Sequence, residues 1–332
     1  MNDRDRVICW LEMLRRDTTF EDMAQKYGRC AATWQNEFRD MTTAAQNMPC
    51  LQTEIVWPDA EERATHADFL QSNGHPSFPR IAYIADDTMV AMRKPAKVGK
   101  EKVKPHNQVR AQNYLGNKGL GTNHIVYVNF RGKIIRIETL RGAVSDRGAH
   151  NSSRVFLEPT SFISDNEVGM GDGNYRGPAR ADSSVLQMCV PHEKPTEGEL
   201  TFEQRLFNSE HRRFRIVVEN TIGQIKKFKT VGNGKAFRHL RTFEKECFNV
   251  CARLTARIMR VRNQYPRSET WTKDVMEPWE AKLGVHLCRD DEDPGSYLVH
   301  GEGENYTHGN ALDGDATSLQ HRWDEIRGMT GV

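Results

Sequence analysis

The sequence predicts an α/β fold: a mixed sheet flanked by helices, with a small helical domain ahead of it. Three observations carry this. The first forty residues repeat apolar side chains at helical spacing. From Arg80 onward come short β-rich runs, two of them closing on an aspartate. Two long helical segments follow, the first carrying a glutamate among Arg and Lys.

In chain order, Val7, Ile8, Trp10, Leu11 and Leu14 mark a first helix. Thr18 with Glu21 offers a capping box for a second, which turns Phe20, Met23, Ala24 and Tyr27 inward and stops at Gly28. A third, over Ala31 to Met41, places Trp34 and Phe38 on one face and leaves Arg29, Gln35, Asn36 and Arg39 for other contacts. Two helices joined by a short Gly-containing turn suit a helix-turn-helix whose last helix reads a DNA major groove, with a bundle used for packing or dimerisation as the alternative. Residues 46–79 read as a connector with five Pro and Gly positions and one helix, Asp59 to Leu70, begun at Trp57-Pro58-Asp59.

Ile81 to Ala85 then reads as a buried strand ending at Asp86-Asp87. His124 to Phe130 and Lys133 to Leu140, around Arg131-Gly132, predict a hairpin. Ser145 to Phe156 looks helical, Val168 to Asp172 is a brief strand ending on an acid, and Val185 to Val190 is another strand. Helical segments over Phe202 to Lys229 and Ala236 to Arg262 complete the core.

With 37% hydrophobic and 28% charged residues, and no apolar run near the roughly 18 that a membrane span needs, composition argues against a membrane protein. The opening Met1-Asn2-Asp3-Arg4-Asp5 lacks a signal-peptide layout, so an intracellular site is expected. Seven cysteines without a Cys-x2-Cys pair offer neither a zinc site nor a disulfide framework. Charge is segregated. Residues 93–118 hold eight Lys and Arg against one Glu, and residues 200–265 hold fifteen against five acids. From Glu269 the balance reverses to fourteen acids against five bases. Two basic surfaces for a polyanion and an acidic, largely disordered tail are the reading.

Asp86 and Asp172 close apolar strands, and Glu219 follows Ile216-Val217-Val218 within a basic helix. Carboxylates on rigid elements are what metal-assisted phosphodiester chemistry requires, because hard divalent cations take oxygen ligands. His192 and His211 read better as surface or hydrogen-bonding residues than as general bases.

Ile84-Ala85-Asp86-Asp87-Thr88-Met89-Val90-Ala91-Met92 is similar to the first-Asp segment of PIF/Harbinger-type DDE transposases. Gly142-Ala143-Val144-Ser145-Asp146 and Ser153-Arg154-Val155-Phe156 are similar to the stretch after the hairpin, and Gly171-Asp172-Gly173-Asn174-Tyr175 to the second-Asp motif. Arg215 to Lys226, RIVVENTIGQIK, resembles the segment with the catalytic Glu and is the most specific match. The likeness spans residues 1 to 262, strongest from 80 to 230. It departs where Asp87 stands, commonly a small residue or Cys in the family, and from Cys247 to Arg257.

The resemblance implies an RNase H-like catalytic core over residues 80–265, behind a helix-turn-helix-like DNA-binding domain (1–45) and the connector, with the tail at 266–332. It implies a catalytic and metal-binding triad of Asp86, Asp172 and Glu219, holding Mg²⁺ or Mn²⁺, two ions. By register Asp86 rather than Asp87 takes the first role, although the two share a strand end. It also implies double-stranded DNA as partner (transposon ends and an AT-rich target), a Myb-like helper protein, homo-oligomers that synapse ends, and nuclear action. Lys94, Lys97, Lys100, Lys102 and Lys104 beside Asp86 are candidate phosphate contacts. So are Arg212, Arg213, Lys226, Lys227 and Lys229 beside Glu219. The rival expectations are a domesticated descendant that binds without transposing, and a nuclease that cuts without joining.

Overall fold

The computed structural model describes residues 2–92, 114–115, 119–141, 146–176, 188–232, 237, 243–262, 285–289, 297–301, 310–311 and 314–315. Three helices fill the N-terminal part: α1 (Asp3–Arg16), α2 (Phe20–Tyr27) and α3 (Ala31–Asn47). The buried stripe of α1 is Cys9, Trp10, Met13 and Leu14, while Val7, Ile8 and Leu11 are exposed. The capping box of α2 is formed by Thr19 and Asp22, one residue beyond the expected Thr18 and Glu21. Thr19 is the extended residue whose hydroxyl accepts from the Asp22 amide at 3.0 Å, and the Asp22 carboxylate accepts in return from the Thr19 amide. Helix α3 outruns its expected end because Thr42 and Ala45 prolong its buried face, and the Trp10 indole N–H donates to the Thr42 hydroxyl at 3.0 Å.

After α4 (Pro49–Gln52) comes α5 (Ala60–Asn73), capped by Asp59 as its sequence suggests. The strands are β1 (Arg80–Ala91), β2 (Tyr114–Leu115), β3 (Gly119–Val128), β4 (Ile134–Arg141), β5 (Glu167–Met170) and β6 (Met188–Cys189). They form a mixed sheet in the order β4-β3-β1-β5-β6, with β2 paired to the start of β3. The β1–β3 and β3–β4 pairs are antiparallel, and β5 runs parallel to β1 and to β6.

Strand β1 does not end at the Asp pair. It continues to Ala91 because β3 supplies a ladder from Ile84 to Ala91, setting Asp86 opposite Val126 and Asp87 opposite Ile125. The expected helix over Ser145 to Phe156 is two, α6 (Asp146–Asn151) and α7 (Arg154–Leu157), separated where Ser153 turns extended and caps α7. The long C-terminal helices are α8 (Phe202–Ile225) and α10 (Glu244–Arg262), with the single turn α9 (Lys229–Gly232) after α8. Helix α8 starts with a capping box of Thr201 and Gln204.

The sheet buries both faces. One packs on a continuous cluster from Trp10, Met13, Trp34 and Phe38 through Cys247 and Phe248 to Val217, Ile84 and Val126. The other packs Tyr83, Ala85, Ile125 and Tyr127 against Ala149, Val155 and Phe162, with Trp57 leaning on it. Within the tail, β7 (Val285–Arg289) pairs with β8 (Tyr297–Gly301), and β9 (Asn310–Ala311) with β10 (Gly314–Asp315). The rest of the disorder expected there lies outside the described residues. Among the described residues, no helix is long and apolar enough to cross a membrane.

Candidate active site

Alternation along β1 separates the two neighbouring aspartates. Ile84 belongs to the cluster under α8, and Ala85 to the opposite one. Asp86 therefore faces α8 and Asp87 the other side, and their partners agree. The Asp86 carboxylate lies 3.4 Å from Nη1 of Arg215 on α8. Asp87 accepts from Tyr175 and Asn123. Of the two acids, Asp86 is the one on the side of Glu219.

Arg215 stands four residues before Glu219, so both project from one face of α8. Its second amino group donates to the Glu219 carboxylate while the first reaches Asp86. One guanidinium thus spans an acid from the central strand and an acid from the helix. The rotation of α8 is set by burial of Phe214, Val217, Val218 and Ile222. The hairpin turn between β3 and β4 adds to this, since the Thr221 hydroxyl donates to the Gly132 carbonyl at 3.1 Å. Gly132 has φ +82°, and a Cβ there would lie 3.1 Å from Val217 and 3.2 Å from Thr221.

Asp172 is not itself in a strand. It stands two residues beyond β5 and caps the 3-10 turn Gly173–Tyr175, accepting from the Asn174 amide at 2.8 Å. Parallel pairing of β5 with β1 brings this turn beside Asp86, and electrostatics registers the convergence. Burial pushes the Asp86 carboxyl up to about 6; Arg215 and the Asp87 amide oppose the rise, and the charges of Asp172 and Glu219 add to it.

Asp86, with the charges of Asp172 and Glu219 both acting on it, makes with them a hard, all-oxygen donor set, which fits a divalent cation such as Mg²⁺ or Mn²⁺ in chemistry. Among the described residues, no three His, Cys, Asp or Glu side chains are gathered closely enough to enclose one. Arg215 instead supplies the positive charge between Asp86 and Glu219.

The other expected contacts fall in several places. Arg212, Lys227 and Lys229 are exposed, and Lys226 is half-buried at the end of α8. Arg213 is turned inward, 3.1 Å from the Glu210 carboxylate and over the Phe214 ring, so it does not present a free charge to a phosphate. On the N-terminal helices Asn36 is exposed, and Gln35 and Arg39 are half-buried. Arg29 lies 3.6 Å from Glu37. Lys94, Lys97, Lys100, Lys102 and Lys104 lie outside the described residues. His211 is buried, with Nε2 against the Cys189 carbonyl, and burial lowers it to about 4.

Sequence reasoning passed over Arg215 and Tyr175 as site residues. The first had a signal, the four-residue spacing of a helical ion pair with Glu219. The partnership of Tyr175 with Asp87 spans 88 positions and had none.

The sequence model of a family described as DDE superfamily endonuclease matches residues 88–256, just over half of the 332. Asp172 and Glu219 lie inside the match, and Asp86 two residues before it. No curated protein and no solved structure matches the chain. With its sheet, its flanking helices and its converging acids, the chain belongs to the DDE superfamily endonucleases.

Proposed function

We propose that the chain is a DNA transposase of the PIF/Harbinger type, which cleaves transposon ends and joins the 3′-hydroxyl to target DNA. The observation that carries this is the meeting of Asp86 and Glu219 at one guanidinium with the Asp172 charge felt alongside. The mixed sheet with an acid on its middle strand supports an RNase H-like reading of the core. Asp86, Asp172 and Glu219 would hold two divalent ions, which when bound supply charge neutralisation at the reacting phosphate.

The remaining work falls to the chain. Placement on a strand, on a turn hydrogen-bonded to itself and on a packed helix fixes the carboxylates before DNA arrives, so little reorganisation is spent at reaction. Exposed Arg212 on the helix of Glu219, with exposed Lys227 and Lys229 just beyond its end, would hold backbone phosphates without reading bases. In the first step the oxygen of water bonds to phosphorus, the bond to the 3′-oxygen breaks, and that oxygen leaves as a hydroxyl. In the second, this hydroxyl displaces a 3′-oxygen of target DNA in the same way. Transposon ends and AT-rich target DNA, a Myb-like helper, a synaptic homo-oligomer and a nuclear setting complete the proposal.

Incubation with Mg²⁺ and DNA carrying the element's terminal repeats tests it. Nicking with strand joining is expected; nicking alone makes the protein a nuclease, and binding without either makes it a domesticated descendant. Asp86→Asn and Glu219→Gln should each abolish cleavage while leaving DNA binding in place. Normal cutting by either variant overturns the triad.

A further inference from the structure

The ladder between β1 and β5 ends at the pair Ile84 and Met170. Asp86 and Asp172 each stand two residues past that point, where no backbone pairing holds β1 to the chain leaving β5. A side-chain link spans the gap. The buried Tyr175 hydroxyl donates to Oδ1 of Asp87 at 2.5 Å, and Nδ2 of Asn123 on β3 donates to Oδ2 of Asp87 at 2.8 Å.

Tyr175 belongs to the turn that Asp172 caps, and its amide donates to the Asp172 carbonyl at 3.1 Å. Its ring is wedged in place: a Cβ on Gly171 would come within 2.8 Å of it, and the His150 ring meets it edge-on with centroids 5.6 Å apart. Asp87 and Asp86 are consecutive on β1, and its ladder with β3 runs through both, so anything fixed to Asp87 is fixed relative to Asp86. A carboxylate can accept from both donors at once, and a charged acceptor makes these bonds stronger than neutral ones.

Resting on the proposed metal-binding reading of the triad, we propose that Asp87, Tyr175 and Asn123 form a clamp that sets the separation between Asp86 and Asp172. Asp87 and Tyr175 are positioning residues on the far side of the strand from the reacting groups. Their loss lets the Asp172 turn drift from β1 and weakens the pair as a joint seat for a cation. Partners that orient metal-binding carboxylates are commonly worth about 10–100-fold in metal affinity.

The test is titration of the full-length protein with Mn²⁺ alone, followed by electron paramagnetic resonance, with thermal midpoints measured in parallel. Tyr175→Phe and Asp87→Asn, both isosteric, are each expected to weaken Mn²⁺ binding about tenfold. The double variant should lose no more than the weaker single one, because one link is being cut. Tyr83→Phe removes a neighbouring buried hydroxyl that bonds His150, and it should lower the midpoint with Mn²⁺ affinity unchanged. Wild-type affinity in Tyr175→Phe overturns the clamp, whatever Asp87→Asn does, since a loss in the latter alone would mark Asp87 as a direct ligand. Asp86→Asn and Glu219→Gln separate this from failure of the underlying reading. If the wild type binds no Mn²⁺, or if these two bind as well as it does, the triad reading fails rather than the clamp.

Discussion

Asp86 is held in an environment that opposes its charge, and this has a measurable sign. Its ordinary value of 3.8 is raised to about 6, chiefly by burial. An acid that is harder to ionise when folded costs stability above its folded pKa, and the cost disappears as pH falls toward the unfolded value. Asp86→Asn should therefore stabilise the metal-free protein at pH 8, by up to on the order of 3 kcal/mol at 1.36 kcal/mol per unit. The gain should shrink through pH 6 and vanish below about pH 4. Denaturant unfolding at three pH values checks it, and an equal or opposite effect at pH 4 would refute the account. The neighbours carry their own signs. Arg215→Gln should raise the Asp86 pKa and Glu219→Gln should lower it, as followed by carboxyl NMR.

Elements differ in how far their sequence announces them. Helix α5 was legible from Asp59, because a cap is a local device. The length of β1 was not, since its second half is stabilised by β3, more than thirty residues away. A like dependence on distant partners governs α10. Glu244 in its first turn is buried and meets Nε2 of His124 at 2.8 Å; the His124 ring stacks on Phe248 at 3.8 Å, and Nδ1 faces the Thr139 hydroxyl. The sequence shows Glu244 as one charge among many at a helix start, and only the fold makes it the polar tie between helix and sheet. Removing one member of a buried pair strands the other. Glu244→Ala should destabilise by about 3–5 kcal/mol in chemical denaturation. The double replacement Glu244→Leu with His124→Phe should recover much of that; a loss under 1 kcal/mol for the single variant would show that the pair is inessential.

Across the described molecule, the N-terminal helices and the sheet are parts of one packed body. The Thr230 hydroxyl donates to the carbonyls of Met13 and Leu14, Arg253 donates to the Gln46 carbonyl, and Phe38 meets Phe243 edge-on. Apolar spacing named the helices of this region but not what they pack on, because periodicity reports a buried face and says nothing about its cover. Asp86, Asp172 and Glu219 stand in short local motifs, and their nearness to one another depends on the sheet order, which no local pattern carries.

The same packing buries His75, His150 and His211, each lowered by burial from 6.5 to about 4. Their contribution to stability is complete above pH 6.5 and is lost as pH falls toward 4. Asp86 and Glu210, both raised by burial, act in the reverse sense and subtract from it. Unfolding at pH 5 should take up protons on balance, as read by calorimetry in two buffers of different ionisation enthalpy. Net release would show that these histidines are not held neutral.

The hairpin turn at Gly132 has a mechanical consequence. Its carbonyl is engaged by Thr221, two residues from Glu219, and its missing side chain leaves room for Val217, two residues before it. The turn works as a detent against α8: the helix cannot roll about its axis without colliding with the hairpin or breaking that bond. A roll of α8 is opposed by the hairpin, so movement at this end of the site falls to side chains such as Arg215 and Glu219 rather than to the helix that carries them.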